Sequence, residues 1–187
     1  MQVVVYTLPT GGCAVAVPIP PVTAETFTPP AGAVSIIVDS ASLPSTPQEE
    51  WGISGGVLVT TVAAPAYLAG YASASWNSIL AAGRIFNVAA SGAAVSVLCD
   101  GTNSTRADLA LLALFGQANP TGTKTWIDNN GVSTVLTGAQ FVTLATLAGN
   151  WVSDTYPALQ TLLGEINATP PTITTTAQID AYAWPAS

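Results

Sequence analysis

The sequence predicts an α+β fold: a small N-terminal β domain, residues 1–64, followed by a mixed α/β domain, residues 65–187, with a hairpin and a long kinked helix. Three observations carry this. β-branched runs and Gly/Pro turns fill the first sixty residues. Ala/Ser-rich and Leu/Ala-rich stretches follow. An apolar stripe at helical period then dominates the last third.

Gln2–Thr7 is a β-branched run, Pro9-Thr10-Gly11-Gly12 a turn, and Cys13–Val17 the returning strand of a hairpin. Pro18, Pro20 and Pro21 cannot donate to a ladder and end it. Ala33–Asp39 is a second strand, Ser42–Trp51 a loop with Glu49-Glu50, and Gly56–Val62 a third strand. Past Ala63-Ala64-Pro65 the spacing of Tyr67, Tyr71, Trp76, Ile79 and Leu80 predicts a helix over 66–82. Arg84–Ala89 and Ala93–Cys99 read as strands around Ser91-Gly92, and Asp100–Asn103 as a further turn. Thr105 and Asp108 form a capping-box-like start to Leu109–Phe115. Leucine all round that helix suggests burial on several sides. Gly116 reads as its C-terminal stop, with Pro120 beyond.

Thr125-Trp126-Ile127 and Val132–Leu136 flank an Asn-Gly turn, the strongest short hairpin signal. Thr137 caps the next helix, with Gln140 three residues on. Phe141, Leu144, Ala148, Trp151, Thr155, Leu159, Leu162 and Ile166 then recur at three- and four-residue spacing. Pro157 interrupts them and is expected to kink or split the helix, at roughly 3 kcal/mol if interior. Asp154 and Thr155 would cap a second segment. Pro170-Pro171 ends the element, and a Thr-rich tail closes with Tyr182, Trp184 and Pro185.

Composition narrows the function. Charged residues make up 7% of the chain, against about a quarter in an average domain. Arg84, Arg106 and Lys124 are the only cations and the net charge is −7, which argues against nucleic acid and anionic membranes as partners. No apolar run reaches the roughly 18 residues of a spanning helix, and Met1–Tyr6 lacks the basic start of a secretory signal. So sparse a charge suits a homo-oligomer, with a trimer among its symmetries. Neighbouring subunits would then cover apolar surface.

The motifs that could carry chemistry are weak. Histidine is absent, so His-based acid/base and zinc chemistry are absent too. The ten acids include no obvious glycosidase pair, and no serine has a His or flanking Lys as base. Asp128 could open a calcium loop, but the sixth and twelfth positions counted from it are Ser133 and Ala139. The expectation is therefore no enzyme, no metal and no cofactor. Cys13 and Cys99 read as small buried side chains, with a disulfide as the sharper alternative. The sequons at Asn103 and Asn167 carry little weight without a secretory signal. Trp51, Trp76, Trp126, Trp151 and Trp184 could bind carbohydrate, with core or subunit interface as the plainer role. Trp51, beside the Pro-rich loop, is the one expected to be accessible. The candidate interface set is Trp51, Trp126, Phe141, Leu144, Trp151, Leu159, Leu162, Tyr182 and Trp184.

Two parts of the chain resemble proteins of tailed bacteriophages. Tyr6, Thr7, Pro9, Gly11, Gly12 and Val15, then Val38, Asp39, Leu43, Pro44 and Trp51, resemble a "YT-x-P-x-GG-x-x-V" hairpin and "VD-x-x-x-LP" strand that open small phage proteins. Glu49-Glu50 departs from that pattern, which usually carries basic residues before the Trp. Residues 106–168 resemble the DUF4376 family, found on phage tail-fibre-associated proteins. The match lies in the Leu/Ala helix Leu109–Phe115, the "W-x-D-x-x-G" hairpin Trp126–Gly131, Leu136–Gln140 and Leu162–Ile166. Ala183-Trp184-Pro185 is similar to the Trp-Pro end of some tail-fibre assembly proteins. The resemblance brings no catalytic residues. It implies a structural virion protein, a tail-fibre or baseplate adaptor or receptor-facing module, with other phage structural proteins and a host surface receptor as partners. A tail-fibre assembly chaperone and a head decoration or head-fibre protein are the alternatives.

Overall fold

β-branched residues at both ends of the Pro9–Gly12 turn pair as expected. In the computed structural model, which describes residues 1–19, 22–90 and 94–185, β1 (Gln2–Thr7) lies between β2 (Cys13–Ala16) and β3 (Ser35–Asp39), antiparallel to both. Pro20 and Pro21, the Ser91-Gly92 turn and Ala93 lie outside the described residues. A second hairpin, β4 (Trp51–Ser54) with β5 (Val57–Thr60), turns through Gly55 and Gly56. Both glycines have positive φ, 58° and 78°, where a side chain would be strained. The sequence reading has only the second of these strands, because Trp51–Ser54 is four residues long and holds a glycine.

The chain forms two compact units. One comprises Met1–Ala72 and Leu162–Tyr182, the other Ser73–Thr161 with the residues from Ala183. α1 (Pro65–Ala82) and α3 (Gly138–Ile166) each contribute to both units.

In the first unit Val5, Cys13 and Trp51 form a buried cluster, edged by Val15, Ile36, Val38 and Leu58. A buried carboxylate ties the two sequence segments of this unit together. Glu50 is 2% exposed, and its Oε1 accepts from both the backbone N–H and the hydroxyl of Thr176, each at 2.7 Å. Thr176 opens α4 (Thr176–Asp180), whose capping box is Thr175 with Gln178. The sequence reading assigned no element within the Thr-rich tail; the Thr-x-x-Gln signal of α4 is present there but short.

The second unit contains the hairpin β6 (Arg84–Val88) with β7 (Val95–Cys99), helix α2 (Asn103–Ala118), and the hairpin β8 (Thr123–Ile127) with β9 (Ser133–Thr137). Its core joins Phe86, Val88, Val97, Leu109, Trp126, Leu136, Phe141, Leu144 and Trp151. Phe86 meets Trp151 edge-on at 6.0 Å, and Trp126 meets Phe141 at 6.5 Å. α2 is capped by Thr102, not Thr105, and runs past Gly116 to Ala118. Gly116 is not a stop. A methyl there would collide with the backbone of Gly138, so it is a point of backbone contact between α2 and α3.

α3 begins as read: the Thr137 N–H donates to Gln140 Oε1 (2.9 Å) and the Gln140 N–H to Thr137 Oγ1 (3.3 Å). All eight residues of the apolar stripe are buried, Thr155 included. Pro157 does not split α3, which corrects both the expected break and the capping role of Asp154 and Thr155. The reason is magnitude. The proline penalty is ~3 kcal/mol. Each buried Leu, Ile or Phe contributes about 1.5–3 kcal/mol, and several flank it on both sides.

Candidate functional site

The expected interface residues lie mostly inside. Trp51 is 4% exposed, which corrects the expectation that it is accessible. Its indole N–H donates to the Thr46 carbonyl (2.9 Å) and hydroxyl (3.0 Å), so the ring can be buried with no polar group left unpaired. Trp126 donates to the Leu98 carbonyl (2.9 Å). Phe141, Leu144, Trp151, Leu159 and Leu162 are buried, while Tyr182 and Trp184 are half-buried. Cys13 and Cys99 are buried free thiols.

The Asp128 loop is a structural turn. One Asp128 carboxylate oxygen accepts from the N–H groups of Asn130 and Val132, both at 2.9 Å. The loop is one residue longer than the Asp128–Gly131 turn read from sequence, since β8 ends at Ile127 as expected but β9 starts at Ser133 and not at Val132. Gly131 has a positive φ of 78°. Among the described residues no three His, Cys, Asp or Glu side chains gather to hold a metal ion, and no helix is long and apolar enough to cross a membrane.

What the surface offers is apolar. Of the leucines on α2, Leu109 is buried, Leu112 half-buried, and Leu111 and Leu114 are 67% and 60% exposed. This corrects the expectation of burial on several sides: α2 has core on one side only. A groove of about 430 Å³ runs between Leu111 and the Thr125–Ile127 edge of β8, and another of about 430 Å³ between Leu114 and Val142 of α3. Ile127 is also exposed, as is Val135, which pairs with Thr125 across the hairpin. Leu111 and Ile127 share the first groove and Leu114 lines the second, so exposed apolar side chains form a band along α2 and the β8–β9 hairpin.

A different kind of site lies where α1, α2 and α3 of the second unit converge. Trp76, Arg106, Val152, Ser153, Tyr156 and Pro157 line a cleft of about 450 Å³. The Trp76 indole N–H donates to Thr155 Oγ1 (3.2 Å), which in turn donates to the Val152 carbonyl (2.9 Å). Buried Thr155 therefore fixes the indole plane, a role its place in an apolar stripe did not suggest. Tyr156 meets Trp76 edge-to-face, centroids 6.0 Å apart at 63°, and is itself 53% exposed. Arg106 donates to the Asn103 side-chain oxygen. Among the described residues no carboxylate pairs with it. Sequence reading named Trp76 as a candidate but not Arg106 or Tyr156, which are 30 and 80 positions away along the chain.

Two buried or half-buried titratable groups are shifted by their surroundings. Desolvation pushes the Asp100 carboxyl up, but hydrogen bonds from the Thr102 hydroxyl and N–H and the Thr105 hydroxyl outweigh it and hold it below the usual range. Burial, with the neighbouring Asp100 charge, pushes the Cys99 thiol up to about 12. Neither shift resembles the depressed pKa of a reactive thiol or the raised pKa of an acid catalyst.

The family model described as "Domain of unknown function (DUF4376)" matches residues 63–183. Neither the curated proteins nor the solved structures contain a match to the chain.

Proposed function

The chain belongs to the DUF4376 family, and from that premise we propose that it is a non-enzymatic structural protein of a tailed-phage virion. It serves as an adaptor or receptor-facing module of the tail-fibre or baseplate region and works as an oligomer of its own copies. The observation that carries the oligomer is the exposed apolar band Leu111, Leu114, Ile127 and Val135. Each side chain offers on the order of 100 Å² by the transfer scale. The band thus approaches 400 Å², within the ~300–600 Å² of the largest apolar patch on a typical monomer, a patch that is often functional. With its two grooves it supplies a large part of the ~800 Å² per partner that a stable dimer or trimer buries. The charge deficit works the same way, since few ions need desolvating when such a surface is covered. The tail location rests on the resemblance of Tyr6–Val15 and Val38–Trp51 to phage proteins and on what the resemblance of residues 106–168 implies.

Two measurements test the two parts. Sedimentation of the purified chain should show self-association that a Leu111→Asp/Leu114→Asp variant abolishes while the far-UV spectrum is retained. A concentration-independent wild-type monomer would sink the oligomer. Mass spectrometry of purified particles should detect the chain. Consistent absence from particles, with a soluble fibre complex in lysates, would replace the virion role by that of an assembly chaperone.

A further inference from the structure

We propose that the cleft between Trp76, Tyr156 and Arg106 is a binding site for a carboxylate-bearing pyranose, an acidic sugar of the hexuronate type. The inference rests on the cleft alone and does not depend on the virion reading.

The shape selects a sugar. Its volume, about 450 Å³, lies within the ~300–1,000 Å³ of small-molecule sites. The two aromatic rings meet at 63°, making an angled wall and not a parallel slot. A flat aromatic ligand would need the slot. A pyranose has one face of polarised C–H groups for an aromatic face and a rim of hydroxyls for everything else. The rim has partners here. Ser153 is among the residues that line the cleft. Its carbonyl lacks the donor that a regular helix supplies, because the residue four positions on is Pro157, which has no N–H. The Tyr156 hydroxyl meets no partner among the described residues. The platform is rigid before any ligand arrives, since Thr155 holds the indole N–H, and little ordering opposes binding.

The charge selects an acid. Arg106 is one of three cations in a chain of ten carboxylates, yet no carboxylate among the described residues neutralises it. Asn103 engages one part of its five-donor fork and leaves the rest for a planar carboxylate. Neither Asp108 nor Asp154 lines the cleft. The net charge of −7 does not exclude an anion, because charges beyond about 8 Å are screened at physiological ionic strength.

The test uses the full chain and four free probes: D-glucuronate, D-glucose, acetate and a short peptide with a free carboxylate. The readout is the Trp76 indole N–H resonance, assigned with Trp76→Phe. Glucuronate should shift it and bind about fivefold more tightly than glucose, the scale of one exposed ion pair. Arg106→Gln should lower glucuronate to the glucose level, and Tyr156→Ala should weaken both sugars. Both substituted side chains reach solvent, so folded variants are expected. If either fails to fold, the wild-type probe series still decides. Glucuronate binding no tighter than glucose, acetate matching glucuronate, the peptide outcompeting both sugars, or an unmoved Trp76 resonance would each overturn the proposal.

Discussion

Gly116→Ala sets two opposing effects against each other at one atom. Alanine is favoured over glycine inside a helix by about 1 kcal/mol, and Gly116 is within α2. The new methyl, however, would overlap the Gly138 carbonyl oxygen, and its carbon at 2.8 Å and Cα at 3.1 Å also lie too near. These are backbone atoms, so no rotamer change can relieve the overlap. α2 and the start of α3 must separate. That strains the bonds from the Gly138 N–H to the Gly122 carbonyl (2.7 Å) and from the Ala139 N–H to the Pro120 carbonyl (3.0 Å). Overpacking typically costs 1–3 kcal/mol and each weakened bond about 1 kcal/mol. After subtracting the propensity gain, we expect a net loss of ~2 kcal/mol. Gly149→Ala is the control. It is the same change on α3, with nothing within 4 Å of the added methyl, and should stabilise by up to ~1 kcal/mol. Urea titration followed by tryptophan fluorescence should move the two midpoints in opposite directions. A Gly116→Ala midpoint equal to or above wild type would refute the close-approach argument. Equal losses in both variants would show that backbone freedom, not steric overlap, governs these sites.

Two further outcomes follow from the titrating groups. The folded pKa of Asp100 is depressed, so its contribution is present above the unfolded carboxylate value and lost as pH falls through the folded one. Stability should therefore drop below about pH 4, and Asp100→Asn should be less stable at pH 7 with a flatter acid limb. An unchanged acid limb in that variant would refute the assignment. The Cys99 thiol is raised to about 12, so its contribution is full below the ordinary thiol value and lost as pH rises from there toward 12. At pH 8 native Cys99 should resist alkylation and react only on unfolding; rapid modification of the folded chain, read by mass spectrometry, would contradict its burial.

Local signals were legible. The α3 stripe, its Thr137/Gln140 start and the β1–β2 hairpin depend on side-chain periodicity and on bonds between residues a few positions apart, all written in consecutive sequence. Errors fell where the deciding contact is distant or competes with a local rule. Gly116 looked like a stop because its partner, Gly138, is not adjacent in sequence. Pro157 looked like a break because its penalty is local while the burial that outweighs it is not. Trp51 looked accessible because its loop is Pro-rich, yet Thr46 satisfies its N–H and a hairpin covers its face. Glu50 gave no sign of burial, since Thr176 lies 126 positions away. The candidate site is the extreme case. Composition shows five tryptophans and only three cations, which bounds the chemistry available. Only tertiary packing brings Trp76, Arg106 and Tyr156 from three helices to one cleft, because the forces that converge them act through space and not along the chain.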